Sequence, residues 1–128
     1  MNIPTKHNMS MRKDIEEKAR KHFDERGAHD FSHTLRVLKV AEKIARAENN
    51  VDHQILKAAC LLHDIGRKKE EKGRCSCHAE CGSKMAVKIL KEVDFPKDKI
   101  EDVAYAISVH RKSRNIKAKT KEAKILQD

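Results

Sequence analysis

His63 and Asp64 stand side by side at the end of the most apolar stretch of the chain, Ile55-Leu-Lys-Ala-Ala-Cys-Leu-Leu-His-Asp-Ile-Gly66. A helix that is hydrophobic all round belongs inside a domain. An ionised carboxylate placed there is costly unless it is paired or bound to a metal. These two residues alone leave open a core histidine hydrogen-bonded to its neighbour. Three further histidines, His33, His78 and His110, fall on or at the end of the apolar stripes of three other helical patterns. Asp128 ends a fifth. Imidazoles and carboxylates gathered from separate helices suit one or two divalent ions (Mn, Fe, Co, Ni, Zn or Mg), which bundles hold between facing helices.

The elements that must position these groups read as helices. Residues 1–9 carry Pro4 and read as an arm, with Ser10 as cap of a helix from Met11 to about Arg26 that buries Ile15, Ala19, His22 and Phe23 and stops at Gly27. Asp30 or Ser32 can cap the next, which runs to about Glu48 on a stripe of Val37, Val40, Ala41 and Ile44, with His33 one turn before Val37. His29 is not placed by this pattern. Asp52 can cap the central helix and Gly66 ends it, after which Arg67 to Arg74 reads as a charged loop on the rim of the site.

His78 begins a helix with its stripe at Gly82, Met85, Ala86, Ile89 and Val93, broken by Phe95-Pro96. Asp98 and Glu101 have capping-box spacing before a helix with its stripe at Ile100, Val103, Ala104 and Ile107, which His110 continues. A basic connection from Arg111 to Lys119 leads to Thr120, which can cap a last helix reaching Asp128. The expectation is an all-α bundle of about five to six helices forming one domain over 1–128.

Composition agrees with helices. Aromatic residues are 3% of the chain, Trp is absent, and only four Gly and two Pro interrupt it. The 29 basic and 20 acidic residues leave a net charge of +9, which favours an anionic partner. Phosphorylated small molecules fit better than nucleic acid, because the basic residues are interleaved with Glu and few aromatics exist to stack on bases. No signal core and no membrane span is present, so a cytoplasmic location with reduced thiols is expected. Cys60 reads as a buried small hydrophobe. Cys75, Cys77 and Cys81 lack the second ligand pair of a structural zinc site, which leaves thiols or an adventitious disulfide.

His33, then the adjacent His63-Asp64, then the distant Asp128 resemble the signature of the HD superfamily of metal-dependent phosphohydrolases. His63-Asp-Ile-Gly-Arg67, His78-Ala-Glu80, Val109-His110 and Glu122 through Asp128 resemble a bacterial and archaeal branch of small HD hydrolases, so the likeness covers roughly residues 28 to 128. The resemblance implies that His33, His63, Asp64 and Asp128 hold one metal, with Asp64 as the catalytic bridge to a second held by His78 and His110. With one metal, those two histidines would touch phosphate instead. Arg67, Lys68 and Arg111 are then candidate clamps on substrate phosphates.

Two departures from the pattern stand out. Some single-metal relatives that hydrolyse nucleotides carry an acidic residue about one turn after the His-Asp pair, where this chain has Arg67 and Lys68; Glu70, Glu71 or Glu80 are the substitutes at hand. Related domains also continue beyond the final Asp, so the bundle reads as C-terminally shortened. The function implied is hydrolysis of a phosphate ester or phosphoanhydride of a nucleotide or similar small molecule. The alternative is a weakly active or inactive metal-containing module that binds nucleotide or nucleic acid through its basic surface. A thiol-based zinc or redox protein centred on Cys75, Cys77 and Cys81 is a third reading.

Overall fold

A computed structural model describes residues 6–23, 31–110 and 118–127, with side chains from Met11 onward. The described residues form seven helices: α1 (Lys6–Arg20), α2 (Ser32–Ala47), α3 (His53–Leu62), α4 (Arg67–Glu71), α5 (His78–Glu92), α6 (Lys97–Ser108) and α7 (Lys121–Gln127). The all-α architecture is as the sequence implies. None of these helices is long and apolar enough to cross a membrane.

The core is built around α3. Seven of its ten residues are buried, on all sides of the helix, and α1, α2, α6 and α7 all pack against it. Leu56, Leu61 and Leu62 are wholly or almost wholly sealed from water. Each such side chain contributes about 1.5–3 kcal/mol relative to exposure. The start of α3 is fixed three ways: the Asp52 side chain accepts from Ile55 N–H (3.1 Å), Lys99 of α6 pairs with the same carboxylate (3.0 Å), and buried Glu122 of α7 accepts from Asp52 N–H (3.3 Å). Thr120 caps α7 by accepting from Ala123 N–H at 3.1 Å.

Several local expectations need correction. The first helix begins at Lys6 inside the expected arm and ends at Arg20, before Arg26. Phe31, not Ser32, occupies the position before α2, and no side chain caps that helix. Phe31 instead packs edge-on against Phe23 (5.2 Å between ring centres), with the Arg20 guanidinium 4.6 Å above its ring, so burial fastens this corner. The buried face of α2 is Thr34, Leu38, Ala41 and Ala45, one position round from the expected stripe, and Val40 is 57% exposed. The small side chains of Ala41 and Ala45 on this face suit close packing against α3.

Residues 67–71 form a short helix where a loop was expected. Asp98 does not cap α6, because that helix starts at Lys97 just after Pro96; Asp98 sits in its first turn, where a negative charge suits the helix dipole. Asp94, with φ of 58°, ends α5, and Phe95 N–H and Asp94 N–H bond back to the carbonyls of Leu90 and Lys91. Gly27, His29 and Asp30 lie outside the described residues.

Cys75 and Cys81 are joined as a disulfide rather than being two thiols. The first turn of α5 brings their Cα atoms to 6.4 Å, within bonding reach. Cys60 is buried as expected, and burial, followed by the charge of Glu42, pushes its thiol up to about 12.

Asp52 gives a direct test of how α3 is anchored. Asp52→Ala is expected to cost about 1–2 kcal/mol, read as a lower urea midpoint with an unchanged slope. Burial would raise the Asp52 carboxyl, but the Ile55 N–H and Lys99 outweigh it and hold the folded value below the ordinary one. The stabilisation is therefore complete above the unfolded value of about 3.9 and fades as pH falls from there through the folded value. The gap between wild type and variant should shrink over that range; a gap that stays constant down to full protonation would contradict this account.

Candidate metal centre

Four helix ends meet at one place. His33 lies in the first turn of α2, His63 and Asp64 directly follow α3, His78 is the first residue of α5, and His110 comes two residues after α6. Asp64 is 3% exposed and sits at the middle of the group. Its Oδ2 lies 3.3 Å from His63 Nε2 and 3.7 Å from His33 Nε2. Its Oδ1 lies 3.7 Å from His78 Nε2 and 3.8 Å from His110 Nε2. Each carboxylate oxygen thus faces two imidazoles, and two candidate ligand sets share Asp64: His33 with His63, and His78 with His110.

The outward nitrogens of three of these rings are already committed. His63 Nδ1–H donates to the Cys60 carbonyl and His110 Nδ1–H to the Ile107 carbonyl, both at 2.6 Å. His78 Nδ1–H donates to the Glu70 carboxylate, 3.3 Å from Oε2. Carbonyls and carboxylates only accept, so the protons belong on Nδ1 and a neutral ring presents the Nε2 lone pair inward. Burial pushes His110 down to about 4, with the nearby His63 adding to the effect. Burial also lowers His78, followed by the charge of Arg67. Both rings are neutral at pH 7.

The chemistry of the donor set is therefore lopsided. His78 Nε2 and His110 Nε2 are 3.3 Å apart and each carries a lone pair. Asp64 Oδ1 beside them is buried and makes no hydrogen bond to a described residue. Arg67 Nε, 3.1 Å from that oxygen, makes an ion pair but is not aligned to donate. Three acceptors held this closely repel one another in a low-dielectric site, and a divalent cation among them removes the conflict. The residues present fit a metal. Burial would raise the Asp64 carboxyl, yet His63 in its doubly protonated form, with Arg67, holds it well below the usual carboxylate range. The oxygens are anionic and ready to ligate.

The structure brings His33, His63, Asp64, His78 and His110 together. His33 differs from the others in that its side chain is 54% exposed. Arg67 is turned onto Asp64, an i,i+3 pairing of opposite charges legible in the sequence. Lys68 lies half-buried beside it on α4. Arg111 and Asp128 lie outside the described residues. The Cys60 and Ile107 carbonyls were not foreseen, because a backbone acceptor leaves no mark in residue type.

The turn from Asp64 to α4 is held against α5 by a close backbone approach. A Cβ on Gly66 would run into the His78 carbonyl and come within 2.7 Å of Gly82 N. Gly66 is thus required for contact rather than for an unusual φ.

The HD domain family matches residues 30–128 of the chain. Among solved structures the chain is similar to a crystal structure described as a predicted HD superfamily hydrolase from an uncultured Thermotogales bacterium, with 35% identity and a TM-score of 0.71. That similarity covers 94% of this chain and 64% of the other, so the chain spans less than two thirds of the length of that relative. No curated protein matches the chain.

Gly66→Ala should force the His63–Gly66 turn away from α5. The expected cost is about 1–3 kcal/mol in urea unfolding, as for other overpacking changes. Wild-type stability in this variant would show that the close approach is unnecessary.

Proposed function

The chain belongs to the HD domain family, and from that premise we propose that it is a metal-dependent phosphohydrolase acting on a phosphate ester or phosphoanhydride of a nucleotide or similar small phosphorylated molecule. The observation that carries this reading is the Asp64 carboxylate with two imidazoles facing each of its oxygens. In this reading His33, His63 and Asp64 hold one divalent ion with Asp128 as a further ligand, and Asp64, His78 and His110 hold a second. Support for the part given to Asp128 comes from its neighbour: Gln127 Nε2 donates to the Val109 carbonyl at 2.6 Å, next to His110.

Bound divalent ions would supply an acidified water and neutralise charge on the phosphoryl oxygens. The chain's own residues do the rest. The Nδ1 bonds to Cys60, Ile107 and Glu70 keep the imidazoles aimed inward without reorganisation, and the buried Asp64 stays anionic. Arg67 is half-exposed and ion-paired with Asp64. A bound divalent ion would supply the positive charge beside Asp64 that Arg67 now provides, and the Arg67 guanidinium would then serve a substrate phosphate, with Lys68 and Arg111 proposed as further clamps. The excess of 29 basic over 20 acidic residues favours approach of such an anion.

The test is chelator-stripped protein reloaded separately with Mn, Fe, Co, Ni, Zn or Mg and assayed on p-nitrophenyl phosphate and a panel of nucleoside phosphates. Metal-dependent release of product is expected. Asp64→Asn and His63→Ala should lower kcat/KM by about 10³-fold or more, the equivalent of losing several kcal/mol of transition-state stabilisation. No turnover with any ion, joined to salt-dependent binding of nucleic acid, would favour the non-catalytic module instead.

A further inference from the structure

Glu70 stands apart from the other groups around the centre. His63 and His110 are oriented by carbonyls of their own chain segment, three residues before each ring. His78 has no such local acceptor, since it is the first residue of α5. Its Nδ1 faces Glu70 on α4, 3.4 Å from Oε1 and 3.3 Å from Oε2. The same carboxylate accepts from His78 N–H at 2.5 Å. One side chain eight residues earlier therefore grips both the backbone and the ring of His78.

The grip matters because of what lies on the far side of the ring. His78 Nε2 is 3.3 Å from His110 Nε2 and 3.7 Å from Asp64 Oδ1, and this ring is buried. If its proton moved to Nε2, the lone pair would point at Glu70 and the His78–His110–Asp64 set would lose a ligand. A carboxylate on Nδ1 forbids that, because it can only accept, and it raises the basicity of the opposite nitrogen.

We propose that Glu70 is a positioning residue: its carboxylate fixes the tautomer and aim of His78 and so creates the second ion-binding half of the centre. This rests on the metal reading above and deepens it. It also assigns α4 a role, since the helix that carries Arg67 toward one side of Asp64 carries Glu70 to the ligand on the same oxygen's other flank. Glu70 thus works through His78 and not as a base on the reacting atoms.

The experiment uses full-length protein and two readouts that need no turnover. Nitrogen-15 NMR of the metal-free protein reports the His78 tautomer, and titration with Mn²⁺ reports affinity for the first and second equivalents. Wild type should show His78 protonated at Nδ1. Glu70→Ala should populate both tautomers and bind the second Mn²⁺ about tenfold to a hundredfold more weakly, with the first little changed. Glu70→Gln, which keeps a side-chain acceptor, should recover most of both.

A Glu70→Ala protein that melts earlier but keeps the His78 tautomer and both Mn²⁺ affinities would overturn the proposal and leave Glu70 a helix cap. Should Glu70→Ala not fold, Glu70→Met removes the acceptor while keeping length and helix propensity, and the same readouts decide. A chain that hydrolyses no phosphate ester yet shows the tautomer and affinity shifts would uphold Glu70 and sink the proposed activity.

Discussion

An ionised carboxylate in a hydrophobic interior must be compensated, and the fold around Asp64 is arranged to meet that demand. Taking such a charge out of water costs several kcal/mol even after relaxation. The chain does not answer with one tight salt bridge. Arg67 lies against Oδ1 without hydrogen-bond alignment, and the rest of the shell is imidazole at 3.3–3.8 Å. That spacing leaves room for a cation between Asp64 and each pair of rings.

The rest of the structure serves this convergence. Four histidines arrive from helix ends rather than helix middles, which places them at the seam where α2, α3, α5 and α6 meet. The seam closes only because Gly66 lets the turn after α3 touch the start of α5. The far end of α3 is pinned by Asp52, Lys99 and Glu122, so the helix that delivers His63 and Asp64 is fixed at both ends. Core packing of Leu56, Leu61 and Leu62 supplies the stability that offsets keeping polar groups buried at the centre.

Much of this was legible in the sequence, for identifiable reasons. The all-round apolar pattern of residues 55–62 marked the central helix, and Asp52 and Thr120 were recognisable as caps because a short polar acceptor before a helix has few other uses. The five gathered site residues stood out because histidine and aspartate are unusual at the ends of apolar stripes. The register of α2 was misjudged because Val40 and Ala41 both look apolar, and size alone does not say which will face a close neighbour. The short α4 was hidden under its charges: Arg67 to Glu71 has no apolar face, and its helical turn is set by attachment at both sides, through Arg67 to Asp64 and Glu70 to His78. The Cys75–Cys81 pairing depended on the first turn of α5, which spacing alone does not fix.

Asp64 lies between two candidate ligand sets. Electron paramagnetic resonance during titration of chelator-stripped protein with Mn²⁺ reads whether this one carboxylate organises two ions. Uptake of two equivalents is expected, with the six-line signal of an isolated ion giving way to the broad spectrum of a spin-coupled pair as the second binds. A single equivalent whose six-line signal persists at saturation, or no tight uptake at all, would rule out a pair of ions sharing Asp64.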